Sequence, residues 1–228
     1  MSETDTAPAA RFTVHGDGRY SGDDGSSGEL AGMTLYVVRA LSQVDQILGL
    51  GQLATFDALG GPQELEATVG HEGDFGLEVT ASLRRTTSPG RSTEQRSISA
   101  TLGDELEHLL EQVTQVELVA GCFVVSSNGN LLADKVPGVE RDNLADTGRR
   151  MKVTHDAFDR FLSTTRLRAG FEWAQLLAAP VGNGLAVVVA DHTCSTDDVF
   201  SAVQVGGGVL SGTDLGTFRA NADGLPSR

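Results

Sequence analysis

One pattern, used twice, constrains this chain more than anything else in it: an apolar run, a Gly/Asn turn, and a second apolar run. Residues 121–138 read GCFVVSSNGNLLADKVPG, where Gly121 to Val125 carry no charge and lead into Ser-Ser-Asn-Gly-Asn. Residues 171–190 do the same, with FEWAQLLAA and LAVVVA joined through Pro180-Val181 and Gly182-Asn183-Gly184. Asn128-Gly129 is a strong hairpin signal, because both central positions of a type I′ turn need positive φ. Val187 to Val189 are apolar on both faces, which predicts a central strand. Between the hairpins, residues 140–165 read as a polar, charged helix with a narrow apolar stripe of Leu144, Met151, Phe158, Phe161 and Leu162.

The flanks extend this unit. TLGDELEHLLEQVTQVELVA, from Thr101, sets Leu102, Leu106, Leu109, Leu110, Val113 and Val116 on one helical face. Thr101 is its expected cap, with Asp104 in the capping-box position. A last helix is expected over 196–205, with Thr196 as cap, Asp197 and Asp198 in its first turn, and Gly206–Gly208 breaking its end. Upstream, residues 1–30 are polar and Gly/Asp/Ser-rich and read as disordered, with a short strand at Arg11–His15. Residues 31–83 form an N-terminal α+β region of unknown fold. It holds the apolar run 33–41, a helix starting at Ser42 and ended by Gly60-Gly61-Pro62, and an alternating strand over 75–85. Residues 84–100, with four Arg, read as a linker, 101–218 as the main domain, and 219–228 as a flexible tail. No internal repeat is visible in the residues.

Composition narrows the function. A net charge of −14 over 228 residues repels phosphate backbones and anionic lipid, and favours protein partners with basic patches. Two distant cysteines, Cys122 and Cys194, make no disulfide framework and suit a reducing, cytoplasmic setting. MSETDTAPAA has no apolar core of a signal peptide, and no apolar run approaches a membrane span.

The order helix, hairpin, long helix, strands, helix over 101–218 resembles the roadblock/LC7 domain family. The residues that carry the resemblance are GCFVVSSNGNLLADKVP and PVGNGLAVVVADHTCSTDDV. It implies an α/β fold with an antiparallel sheet and helices on both faces, and regulation rather than chemistry. Members pair through the long helix and a neighbouring sheet edge, and the paired helices form a platform. In bacterial members of the MglB type that platform binds a Ras-like small GTPase and can act as a GTPase-activating protein. Carried over, the resemblance implies a homodimer whose platform is residues 140–165, offering Arg141, Arg149, Arg150, Lys152 and Arg160 to the partner. The alternative is an adaptor that only dimerises and carries its partner site in residues 1–100. The family has three strands after the long helix. Here that requires Thr165–Arg168 to pair through a tight turn at Ala169-Gly170.

Enzyme chemistry finds less support, and no catalytic, cofactor or metal residues are assigned. Gly49-x-Gly51 lacks the preceding strand and third glycine of a dinucleotide fingerprint, and no Lys-Ser/Thr follows Gly206–Gly208. His192 and Cys194 have no second His/Cys pair at ligand spacing. A nucleophilic Cys194 needs His192 or His155 oriented by a third group, and no base accompanies Ser126 or Ser127. His155-Asp156 reads as a solvated or interface pair, Glu105 and Glu107 as a wet helix face, and the sole tryptophan, Trp173, as core or sheet-edge packing.

Overall fold

The computed structural model describes residues 10–23, 28–61, 63–72, 76–85, 101–217, 219–220 and 226–227. Of the residues expected to be disordered, 1–30, those at 1–9 and 24–27 lie outside the described residues, whereas Ala10–His15 and Tyr20–Gly22 form strands and a helix begins at Gly28; residues 86–100 of the linker expected over 84–100, and most of the tail expected over 219–228, also lie outside them.

The strands are β1 (Ala10–His15), β2 (Tyr20–Gly22), β3 (Leu53–Gly60), β4 (Gln63–Glu72), β5 (Gly76–Arg85), β6 (Val119–Val125), β7 (Leu131–Lys135), β8 (Thr164–Phe171), β9 (Ala174–Val181) and β10 (Gly184–Asp191). The helices are α1 (Gly28–Ser42), α2 (Val44–Leu48), α3 (Leu102–Thr114), α4 (Arg141–Leu162) and α5 (Thr196–Gly207). These ten strands form one antiparallel sheet in the order β2-β1-β5-β4-β3-β8-β9-β10-β6-β7, and Arg219–Ala220 pairs separately with Pro226–Ser227.

That order contains a repeat. Apart from the short α2 that follows α1, residues 10–85 run strand, strand, helix, strand, strand, strand, ordered β2-β1-β5-β4-β3. Residues 119–191 run through the same sequence of elements, ordered β7-β6-β10-β9-β8. The two units meet along β3 and β8. Their ladder is symmetric in register, with Leu53 opposite Phe171 at one end, Gly60 opposite Thr164 at the other, and a register shift near each end. The N-terminal region of unknown fold is thus a second ββαβββ unit, and the division between halves is one of chain order rather than of the sheet.

Helices lie on both faces. α1, α2 and α4 cover one face over a core that includes Phe12, Leu41, Phe56, Met151 and Phe158, with the Phe56 and Phe158 rings stacked 5.0 Å apart. α3 and α5 cover the other face over Leu106, Leu109, Cys122, Val188 and Val203, chiefly above β6, β7, β9 and β10, with Arg166 of β8 reaching Asp197 and Phe200 of α5. On that same face the N-terminal unit carries polar rows instead. Thr13, Thr80, Thr68 and Thr55 form one, and Arg11, Ser82, Glu66, Asp57 and Arg168 the next. Such a face loses little by meeting water, whereas the apolar rows beyond it require helices over them.

Several local expectations change. Residues 42–61 are not one helix. α1 starts at Gly28, where Leu30, Thr34, Leu35, Val38 and Leu41 share the buried face, and ends at Ser42; the short α2 that follows stops at Gly49, whose positive φ caps it. The chain then enters β3, where Leu53, Phe56, Ala58 and Gly60 point inward. The polar-looking QELEATVGHE is strand β4, with Leu65, Ala67 and Val69 buried. The Asn128-Gly129 turn makes its hairpin without type I′ geometry: only Gly129 has positive φ, and its N–H donates to the Ser126 carbonyl. β8 runs straight through Ala169-Gly170, and the turn to β9 is Glu172-Trp173. Ser195, not Thr196, caps α5, which continues through Gly206 and Gly207. A Cβ on Gly206 would sit 3.0 Å from Leu109, so the glycine lets α5 lie close to α3. α3 keeps its expected Thr101–Asp104 capping box.

Candidate functional site

The candidate site is the helical face formed by α4 with its neighbours α1 and α2. α4 buries Leu144, Thr147, Gly148, Met151, Thr154, His155, Phe158 and Leu162. At 100° per residue these occupy one side of the helix. Asp142, Arg149, Val153 and Arg160 lie opposite and are exposed, while Phe161, expected in the stripe, is exposed as well. α1 packs against α4, and Arg150 on α4 donates to the Gln43 side chain between α1 and α2. α1 adds the exposed Tyr36, so three large exposed hydrophobics, Tyr36, Val153 and Phe161, belong to these two helices.

The five basic residues expected on this face are not one patch. Arg141 pairs with Asp134 of β7 at the start of the helix. Arg149 and Arg150 both reach Asp146, at 3.7 and 2.9 Å. Lys152 is largely buried, with Nζ 2.6 Å from Asp156, on the flank away from α1. Arg160 is exposed, with no ion pair recorded among the described residues. The solvent-facing ridge therefore offers Arg149 and Arg160 in a frame of carboxylates. The Ser126–Asn130 turn supports it from below, since a Cβ on Gly129 would sit 2.8 Å from Arg149 Cγ.

The groups weighed for catalysis are held in other roles. Ser126 is buried, and its Oγ accepts from the N–H groups of Asn128 and Asn130, fixing the turn. Burial pushes the Cys122 thiol up to about 12. Cys194 is also raised, by burial first and then by Asp198, Asp191 and Glu117, and its Sγ lies 3.2 Å from the Glu117 carbonyl oxygen. Both therefore stay thiols at neutral pH, and the thiolate is the nucleophile. His155 is buried rather than solvated, with Nε2 3.1 Å from the Thr164 carbonyl and Nδ1 3.3 Å from Asp156, which ties α4 to the start of β8. Among the described residues no group of three or more His, Cys, Asp or Glu is arranged to hold a metal. Trp173 lies in neither core; it is 62% exposed at the β8–β9 turn. No described helix is long and apolar enough to cross a membrane.

In fold, about half of the chain resembles roadblock/LC7 domains. A roadblock/LC7 domain from Streptomyces avermitilis aligns over 47% of this chain and 92% of its own length, at 12% identity and a TM-score of 0.39. The gliding protein MglB from Thermus thermophilus aligns over 52% of this chain and 95% of its own, at 16% identity and a TM-score of 0.42. MglB from Myxococcus xanthus aligns over 51% and 92%, at 14% identity and a TM-score of 0.44. No family model matches the chain, and no curated protein does.

Sequence reasoning missed α1 and Tyr36 as part of this surface. The signal was present in the period of Leu30, Thr34, Leu35, Val38 and Leu41, but MTLYVVRAL is rich in β-branched and aromatic residues that favour strands. In this chain α1 packs against α4, and β3 pairs along β8.

Proposed function

We propose that the chain is a non-enzymatic regulator or scaffold that binds a Ras-like small GTPase on the α1/α4 surface, as an activating protein or co-regulator. The observation that carries this reading is the placement of two ββαβββ units in one sheet with α1 beside α4. The two-helix platform that the resemblance builds from two copies is then present in one chain. Arg149, Arg160, Tyr36 and Val153 supply exposed contacts, while Arg141, Arg150 and Lys152 act chiefly through their carboxylate partners. Self-association, where it occurs, uses a surface other than the β8 edge.

The test is binding of the full chain to purified Ras-like GTPases loaded with GDP or a non-hydrolysable GTP analogue. Binding is expected in one nucleotide state and should weaken at least about tenfold in Arg149→Ala/Arg160→Ala, since each exposed arginine anchor contributes roughly 1 kcal/mol or more. A folded chain that binds no such GTPase in either state refutes the reading. The adaptor alternative is favoured by the polar rows of the N-terminal unit, on the face where α3 and α5 lie over the C-terminal strands. It predicts partner binding that survives the arginine variant and is lost on Glu66→Lys.

A further inference from the structure

A second surface stands apart from the α1/α4 platform. At the end of the sheet where β8 turns into β9 lies a shallow depression of about 390 Å³, lined by Leu118, Val119, Ala120, Trp173, Val189 and Asp191 among others. Trp173 and Leu118 are 62% and 49% exposed, unusual for large apolar side chains. The backbone holds both in place. The Trp173 N–H donates to the Leu50 carbonyl, and the Asp191 N–H to the Leu118 carbonyl, with Leu118 at a φ of 66°. A Cβ on Gly51 would lie 3.2 Å from the indole, so that glycine leaves room for the ring.

The rim is acidic. Asp191 accepts from the Thr193 N–H at 2.8 Å and from its hydroxyl at 2.6 Å, and these bonds hold its carboxyl below the usual range. Glu117 adjoins Leu118, and Glu172 adjoins Trp173. His192, 3.4 Å from Asp191, is the one basic side chain paired there among the described residues. An exposed indole, an apolar lining and a carboxylate held by two hydrogen bonds together suit a long cationic side chain.

We propose that this depression binds the arginine or lysine side chain of a partner protein, laid along Val119 and Ala120 with its cation between Trp173 and Asp191. The charge of −14 favours a basic partner over the whole molecule, and the depression supplies a specific seat.

Trp173 is the only tryptophan, so its fluorescence reads this site directly. The full chain is titrated with N-acetyl-arginine amide and, separately, with its neutral isostere N-acetyl-citrulline amide, at low salt. A saturable change with the arginine compound, weakened about tenfold or more in Asp191→Asn and by salt, is the expected result, in keeping with one charge-assisted hydrogen bond. An equal response to the citrulline compound, or no saturable response to either, overturns the proposal. Because Asp191→Asn keeps the shape and the acceptor oxygen, unchanged arginine binding in that variant also overturns it. The proposal does not depend on the GTPase reading, and neither outcome bears on binding at α1 and α4.

Discussion

Gly60 is the residue on which the joining of the two units can be tested. It ends β3 opposite Thr164, where α4 hands over to β8. A Cβ there would penetrate the Leu162 carbonyl oxygen and lie 2.5 Å from its carbon and 3.0 Å from its Cβ. The obstacle is backbone, which no side-chain rotation relieves. Overpacking a filled site costs roughly 1–3 kcal/mol, and a backbone obstacle places Gly60→Ala near the upper end, at about 3 kcal/mol. For a chain of this length that lowers Tm by roughly 6–12 °C. Gly61→Ala is the control: its Cβ would meet nothing within 4 Å, and it should fall within about 0.5 kcal/mol of the parent. Urea and thermal unfolding, followed by Trp173 fluorescence and circular dichroism, read both variants. Since the units share one sheet, the two probes should report a single transition that shifts as a whole. A Gly60→Ala variant as stable as Gly61→Ala, or one that shifts only part of a two-step transition, refutes the shared seam.

Two further perturbations address the same region. Burial raises the Asp57 carboxyl to about 6, against the partial opposition of Arg168 at 3.5 Å. A carboxyl raised in the folded state is destabilising once ionised, so its burden is absent below about pH 4, grows through pH 4–6 and is full above. Asp57→Asn should then gain up to about 3 kcal/mol at pH 7.5 and little at pH 4, and a loss of stability at pH 7.5 in urea melts would contradict this account. Ser163 caps α4 in the left-handed region with φ 51°, so Ser163→Gly should stabilise by about 1 kcal/mol; a lower Tm would show that the serine side chain contributes more than the backbone strain removes.

What the sequence revealed followed how strongly each segment's local pattern was tied to its burial. α3 was legible because its apolar spacing and its Thr101–Asp104 box point to one answer. β10 was legible because residues apolar on both faces have one place in a sheet. β4 was not, since Glu64, Glu66 and Thr68 outweigh Leu65, Ala67 and Val69 in any window average. α1 was obscured by its strand-favouring residues, and the helix expected from Ser42 ran past Gly49 because Leu50 and Leu53 happened to continue its spacing. At the candidate site, the basic residues of α4 were visible but their partners were not. Asp146 and Asp156 lie four residues from Arg150 and Lys152 in opposite directions, and only the fold shows which cations they neutralise. No window could show that Arg150 also reaches Gln43, because that contact depends on α1 and α2 lying beside α4.

The repeated unit escaped detection for a physical reason that also bears on function. What recurs is the order of elements and the inward positions of each strand, and many apolar residues satisfy an inward position equally well. The two units then differ where burial differs. On the α1/α4 side both present a helix over a shared core, and that side is near-symmetric. On the other side the C-terminal unit is apolar and needs α3 and α5, while the N-terminal unit is polar and needs no cover. A homodimer would carry two identical platforms' worth of side chains about its axis. Here Arg149, Val153 and Arg160 stand on α4, whereas the exposed positions of α1 hold Glu29, Tyr36 and Arg39. Joining the units in one chain therefore removes the constraint that both helices carry the same residues. A partner bound on this surface, as proposed, would meet two helices of different charge and shape, which would favour one docking orientation over its two-fold mate.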